Sequence, residues 1–74
     1  MRGVYDRKGE QFAYLQGDKL FTVDGEPTGY LRGEYIVDLQ DNRVWRLVGD
    51  GLHSLDGSET IGYIGPETQP DYDY

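Results

Sequence analysis

The side chains able to perform acid–base or nucleophilic chemistry are few. The one histidine, His53, falls at the position that Tyr5, Phe21 and Val37 hold in the repeats described below, which favours a half-buried structural role. A general base also needs a partner that orients its ring, and the sequence identifies none. No cysteine nucleophile and no Gly-x-Ser-x-Gly motif is present. We therefore predict that the protein is not an enzyme, with hydrolysis around His53 as an alternative.

Metal and cofactor motifs are also missing from the sequence. Asp24, Asp41 and Asp56 occupy repeated turns, where aspartate side chains bond to nearby backbone amides. No segment has the alternating oxygen ligands of a calcium loop, and the glycines form neither a phosphate loop nor a dinucleotide fingerprint. We predict that the protein uses no cofactor and holds no metal ion.

Aromatic side chains are the better candidates for binding. Tyr14, Tyr30 and Trp45 recur at nearly the same place in successive repeats, and Arg46 follows the tryptophan. Rotational symmetry would gather these residues, either into the core or into a recognition patch of the kind that protein interfaces favour. A pocket at the symmetry axis lined by the rings would indicate a ligand, whereas a filled axis with outward-facing rings would indicate contact with a protein.

Composition excludes several classes of partner. The 74 residues are 36% hydrophobic and carry a formal charge of −7, which allows one small domain. The seven basic residues are scattered, so binding of nucleic acid is disfavoured. No apolar run approaches the roughly 20 residues of a membrane span, and no signal sequence is recognisable, so we expect no membrane contact and a cytoplasmic location. Eleven glycines and seven tyrosines favour an all-β domain.

The chain repeats with a period of sixteen residues. Residues 9–17, read GEQFAYLQG, recur as residues 25–33, read GEPTGYLRG. Further copies run through 41–49 and 57–65, and every copy ends on a glycine. An aliphatic-led second strand follows each of the first three copies and begins near Leu20, Ile36 or Leu52. Similarity at a fixed period indicates a repeat architecture, here built from two-stranded units.

The repeat is offset relative to the ends of the chain. Counting back sixteen residues from Leu20 gives Val4, so the N-terminus supplies the second strand of a unit. The unit at 57–65 lacks its own second strand, because the residues after Gly65 contain two prolines and little apolar content. We therefore predict that the N-terminal strand pairs with the last repeat and closes four units into a ring.

Eight strands are predicted, two in each unit. The first strands lie at 12–16, 29–32, 44–48 and 61–64, and the second strands at 4–6, 20–23, 35–39 and 52–55. Gly-Asp, Gly-Glu and Asp-Gly pairs connect them, because these residues suit tight turns. Gly62 and Tyr63 match Gly29 and Tyr30 only after a shift of one residue, for which we predict a β-bulge in the last unit.

A unit that combines a Gly-Tyr-aliphatic strand, as at 29–31, with an aliphatic-led second strand and an Asp-Gly turn resembles the units of bacterial 4-fold β-flower domains. The resemblance covers about residues 1–65 and implies four hairpin-like units around a pseudo-fourfold axis, with no defined biochemical role. Gly-aromatic hairpins also occur in choline-binding cell-wall modules. Their cation cages need paired Trp and Tyr side chains, and this chain has one tryptophan.

The chain divides into a β-repeat domain, residues 1–65, and an acidic tail, residues 66–74. The tail contains three acidic and no basic residues, and its Tyr72 and Tyr74 are further candidate contact residues. We predict a non-catalytic β module that binds another protein or self-associates. The alternative is a ligand-binding module that holds a saccharide or a small cation against the repeated aromatic residues.

Overall fold

The computed structural model describes residues 1–67, which form strands and turns. The strands are β1 (Arg2–Asp6), β2 (Gln11–Gln16), β3 (Lys19–Thr22), β4 (Pro27–Arg32), β5 (Tyr35–Asp38), β6 (Arg43–Val48), β7 (Gly51–His53) and β8 (Thr60–Glu67). Every predicted strand is present, with ends that differ by at most three residues from the prediction. The all-β class is confirmed.

The strands form a closed barrel in the order β1 to β8, and each neighbouring pair is antiparallel. The ring closes where β8 pairs with β1, with Val4 opposite Ile64 and Tyr5 opposite Tyr63. Four two-stranded units result: β2 with β3, β4 with β5, β6 with β7, and β8 with β1. We number them one to four in that order. The predicted closure by the N-terminal strand is confirmed.

Aliphatic side chains fill the interior of the barrel. The second strand of each unit supplies one aliphatic residue to the core at the same position of the repeat, and these residues are Leu20, Ile36, Leu52 and Val4. Leu15 and Ile64 from first strands pack with them, and both are at most 2% exposed. Because successive residues of a strand point to opposite faces, the neighbours of these core residues form the outer wall of the barrel.

Every unit contains a β-bulge near the start of its first strand. In unit two, for example, the pairing changes from Leu20–Gly29 to Phe21–Pro27, which leaves Thr28 between the paired residues. The bulged residues of units one to four are Phe12, Thr28, Val44 and Ile61. The bulge predicted in the last unit is present, but all units share it. It therefore does not explain the one-residue shift of that unit.

A longer turn causes the shift. The Ser54 N–H donates to the carbonyl of Glu59, five residues later, whereas the corresponding bond in the first turn joins Asp6 to Glu10, four residues later. Gly65 consequently keeps the sixteen-residue step in the sequence without occupying the turn position of the earlier glycines in that column.

Polar contacts of Met1 and Arg2 stabilise the junction between β1 and β8. Arg2 Nε donates a hydrogen bond of 2.8 Å to the Gly65 carbonyl, and Arg2 Nη2 lies 2.9 Å from Asp50 Oδ1. The N-terminal ammonium of Met1 pairs with the carboxylate of Glu67. Unit four, which consists of β8 and β1, is therefore stabilised by side-chain contacts as well as by the hydrogen bonds of the sheet.

β8 extends two residues past the domain boundary predicted from the sequence. Pro66 and Glu67 lie in this strand, where a shift in the register with β1 accommodates the proline, which has no N–H to donate. The rest of the predicted tail, 68–74, lies outside the described residues. The candidate contact residues Tyr72 and Tyr74 lie there too.

Two glycines permit close approach between neighbouring strands. Gly29 and Gly62 hold equivalent buried positions in units two and four. A Cβ atom at Gly29 would collide with the Val37 carbonyl oxygen, and one at Gly62 with the Tyr5 carbonyl oxygen. The equivalent residues in units one and three are Ala13 and Trp45. Units two and four therefore share a glycine at a position where units one and three have side chains of very different size.

Replacing Val4 with aspartate should unfold the domain. Val4 is 1% exposed, and an unpaired carboxylate buried there costs about 4 kcal/mol or more, comparable to the whole stability of a domain of this size. Val23→Asp is the matched control, because Val23 is 55% exposed. Circular dichroism during urea titration measures both variants. A Val4→Asp variant with the wild-type midpoint would contradict the closed arrangement.

Replacing Gly62 with alanine should cost about 2–3 kcal/mol in the free energy of unfolding, because the new methyl group forces β8 away from the Tyr5 carbonyl. Gly51→Ala is the control, since its Cβ would approach the movable ring of His53, at 3.0 Å. We expect the control to lose less than about 1 kcal/mol. Equal losses for the two variants in thermal or urea unfolding would argue against tight strand packing at Gly62.

Candidate functional site

The outer wall carries a cross-strand pair of side chains at an equivalent position of each unit. Tyr14 faces Phe21 in unit one, and Tyr63 faces Tyr5 in unit four. Both pairs are stacked rings with centroids 5.2 Å apart. The remaining pairs are Tyr30 with Val37 and Arg46 with His53. Because cross-strand aromatic pairs stabilise sheets, the stacked rings on this wall already have a structural role.

The candidate residues Tyr14, Tyr30 and Trp45 do not come together. Arg46, and not Trp45, takes the position in unit three that corresponds to Tyr14 and Tyr30. Trp45 instead packs against the core, where its ring meets Phe12 of unit one edge to face, with centroids 5.9 Å apart. The predicted contact residues are therefore divided between the outer wall and the interior.

Four turns surround one end of the barrel, which we call the mouth. Each turn is closed by a backbone hydrogen bond from the N–H of its first residue to the carbonyl of its last. The turns span residues 6–10, 22–26, 38–42 and 54–59. The bulged residue of each unit lies two positions after the last residue of its turn. Met1 pairs with Glu67 at the opposite end of the barrel.

The first residue of each mouth turn is Asp, Thr or Ser, and its side-chain oxygen accepts hydrogen bonds from backbone N–H groups of the same turn. Asp6 Oδ1 accepts hydrogen bonds from two N–H groups of its turn at 2.8 and 3.0 Å, and Asp38 Oδ1 accepts two at 2.9 Å. Thr22 and Ser54 each accept one through the hydroxyl group. These bonds fix the backbone around the mouth.

The aspartates singled out by the sequence behave differently from one another. Asp56 accepts a hydrogen bond of 3.0 Å from the Ser58 N–H, as predicted for a turn residue. Asp41 instead lies 2.9 Å from Arg32 Nε. Its φ is 70°, in the left-handed region that glycine occupies at the equivalent position of the other mouth turns.

The mouth exposes aliphatic side chains at equivalent turn positions. Val23, Leu39 and Leu55 are each the second residue of their turns, and their exposed fractions are 55%, 49% and 45%. The bulged residue Val44 is also exposed. Large apolar side chains grouped on the surface of a small domain are typical of an interaction site.

A cavity of about 250 Å³ opens at the mouth between units one, two and three. Phe12 and Trp45 line it with aromatic rings, and Leu20 and Ile36 line it from the core. Its polar lining residues are Thr22, Thr28 and Asp38. An apolar cavity with a few polar groups has the composition typical of a binding site, and this one has the size for a single side chain or a small organic group.

Acidic residues surround the mouth. Each of its four turns contains two carboxylate residues, and the only basic residues within the turns are Arg7 and Lys8, both in the first turn. The two turns that contribute to the cavity, 22–26 and 38–42, contain no basic residue. The electrostatic field at the cavity therefore favours a cation.

Hydrogen bonding keeps two of these carboxylates charged. The backbone N–H of Asn42 has the largest effect in lowering the pKa of Asp38 below its ordinary value of 3.8. Hydrogen bonds from Ser58 and Ser54 lower the pKa of Asp56 to about 2. Donors that favour the ionised form stabilise it, so both groups are anionic at neutral pH.

His53 lies on the outer wall, away from the cavity lining. Its Nδ1 is 3.5 Å from the hydroxyl oxygen of Thr60, and within residues 1–67 no carboxylate bonds to its ring. No three His, Asp or Glu side chains of this part of the chain converge on a potential metal site. The same part contains no helix able to cross a membrane.

A closed barrel of four two-stranded units, with a bulge and a capped turn repeated in each, defines a small all-β repeat domain. The family model described as 4-fold beta flower protein matches residues 2–64. The chain belongs to this family. Searches of curated proteins and of solved structures gave no match.

The carboxyl group of Asp56 should titrate with a midpoint near 2 in the folded protein, compared with 3.8 for an ordinary aspartate. Because folding lowers this pKa, ionised Asp56 stabilises the fold above pH 3.8, and that contribution is lost as the pH falls toward 2. Carbon-13 NMR titration of the side chain measures the midpoint. Ser58→Ala should raise it, since one hydroxyl donor is lost. A wild-type midpoint of 3.8 that Ser58→Ala leaves unchanged would contradict the turn geometry.

Proposed function

We propose that this domain is a non-catalytic module that binds another protein through its mouth. The exposed aliphatic residues of three mouth turns, next to an open cavity, carry the proposal. A protein partner would cover Val23, Leu39 and Leu55 and place one side chain in the cavity beside Phe12 and Trp45. Burial of exposed apolar area is the main favourable contribution to such an association.

The outer wall is a poorer candidate for the contact. Its Tyr14 and Tyr63 rings already stack on neighbouring rings of the same barrel, and Tyr30 lies beneath the guanidinium of Arg32, whose Cζ is 5.4 Å from the ring centroid. Side chains that are satisfied within the domain gain less from a partner than the exposed turn residues. Of the predicted contact residues, Trp45 is therefore the one we retain for the site.

The cavity itself favours a second candidate, a small-ligand module. A cavity of about 250 Å³ with a tryptophan and a phenylalanine in its lining is able to hold a small saccharide ring or an organic cation. In that case the exposed aliphatic residues of the turns would contribute little to binding. The absence of catalysis and the cytoplasmic location stay predictions from the sequence.

Selection from a phage-displayed library of random peptides tests the proposal. The selected peptides should quench or shift the fluorescence of Trp45, the one tryptophan of the chain. They should also perturb the NMR amide signals of the mouth turns. A variant carrying Val23→Ser, Leu39→Ser and Leu55→Ser together should bind at least about tenfold more weakly, because it loses apolar contact area.

Val48→Ser is the matched control, since Val48 is 56% exposed at the opposite end of the barrel. We expect it to bind the selected peptides as the wild type does. Peptides that perturb only the outer wall, or equal losses for the triple variant and Val48→Ser, would overturn the proposal. Binding of simple saccharides or alkylammonium ions without any peptide binding would favour the second candidate instead.

A further inference from the structure

We infer that the mouth recognises a basic peptide segment, and that a lysine or arginine side chain of this segment enters the cavity that Phe12 and Trp45 help to line. The inference rests on the proposed function and names the chemistry of the partner. It follows from the combination of an apolar aromatic cavity with an acidic rim.

The cavity fits the two parts of such a side chain. Its interior is lined by Leu20, Ile36, Phe12 and Trp45, which suit an aliphatic stem. Asp38 is a lining residue of the same cavity and opens a mouth turn, so its carboxylate is close enough to pair with the charged end of the stem. Aromatic rings attract a cation placed against their faces, so the walls add to the charge pairing.

The charges around the cavity disfavour an acidic segment. The turns 22–26 and 38–42 contribute four carboxylates and no base, and one of these carboxylates, Asp41, is paired with Arg32. The nearby Arg43 is stacked on Tyr35, with its Cζ 4.2 Å from the ring centroid, and it does not line the cavity. An acidic segment, including a second copy of the C-terminal Asp-Tyr-Asp-Tyr sequence, would meet repulsion here.

A pair of synthetic peptides tests the inference. The first is the acetylated and amidated peptide Ser-Lys-Ser-Lys-Ser-Lys-Ser, and the second replaces its central lysine with norleucine, which keeps the stem and removes the ammonium group. Trp45 fluorescence measures binding of each. We expect the norleucine peptide to bind about tenfold more weakly, and the affinity of the lysine peptide to fall as salt is added.

Asp38→Asn and Asp6→Asn form a matched pair of variants. Both residues open a mouth turn and accept two backbone hydrogen bonds through Oδ1, which an asparagine oxygen can also accept. Only Asp38 lines the cavity. Asp38→Asn should therefore weaken the lysine peptide about tenfold, while Asp6→Asn changes its affinity by less than about twofold.

The outcomes separate this inference from the proposed function. Equal or tighter binding of the norleucine peptide, or equal effects of the two asparagine variants, would overturn the basic-segment inference and leave the mouth as a protein-binding site. Binding of display-selected peptides at the mouth without binding of the lysine peptide would also overturn the basic-segment inference and leave the proposed function standing. If neither the synthetic nor the selected peptides perturb Trp45, both the inference and the proposed function fail.

Discussion

The structure depends on the hydrogen-bonded pairing of β1 with β8. A small antiparallel sheet with two free edges would expose unpaired backbone groups on both sides, and closure removes both edges at once. The pairing also completes the fourth unit, so that the second strand of every unit contributes an aliphatic residue to the core. Arg2 and the N-terminal ammonium add polar contacts at the same junction.

Closure places the four repeated turns around one end of the barrel, and Met1 meets Glu67 at the other. Because the repeat is imperfect, the mouth is not symmetric. The first turn carries Arg7 and Lys8 at positions where the other turns have no basic residue, and Phe12 and Trp45 come from opposite units. The acidic cavity is a product of these departures from the repeat, which is how a symmetric fold acquires one particular site.

The sequence predicted the fold more completely than the site. The glycine column, the aliphatic-led second strands and the sixteen-residue offset of Val4 were sufficient for the strands and the closure, because each depends on local chemistry and on counting. The grouping of Trp45 with Tyr14 and Tyr30 was wrong although the same counting contradicts it, because sixteen residues after Tyr30 comes Arg46, and a shift of one residue moves a side chain to the other face. The exposure of Val23, Leu39 and Leu55 was missed because an aliphatic residue at the end of a strand and one in a turn look alike in sequence. Nothing in the sequence indicated that Asp38 and Phe12 belong to the site, because they come to line the same cavity only in the folded barrel.

Native-state hydrogen exchange of the backbone amides tests the closed ring most directly. The account predicts that the amides of Tyr5 and Tyr63, which lie opposite each other where β1 pairs with β8, are protected as strongly as those of Tyr30 and Val37, which pair within unit two. Rapid exchange throughout β1 and β8, with strong protection in the other strands, would show an open ladder of hairpins and would contradict the account.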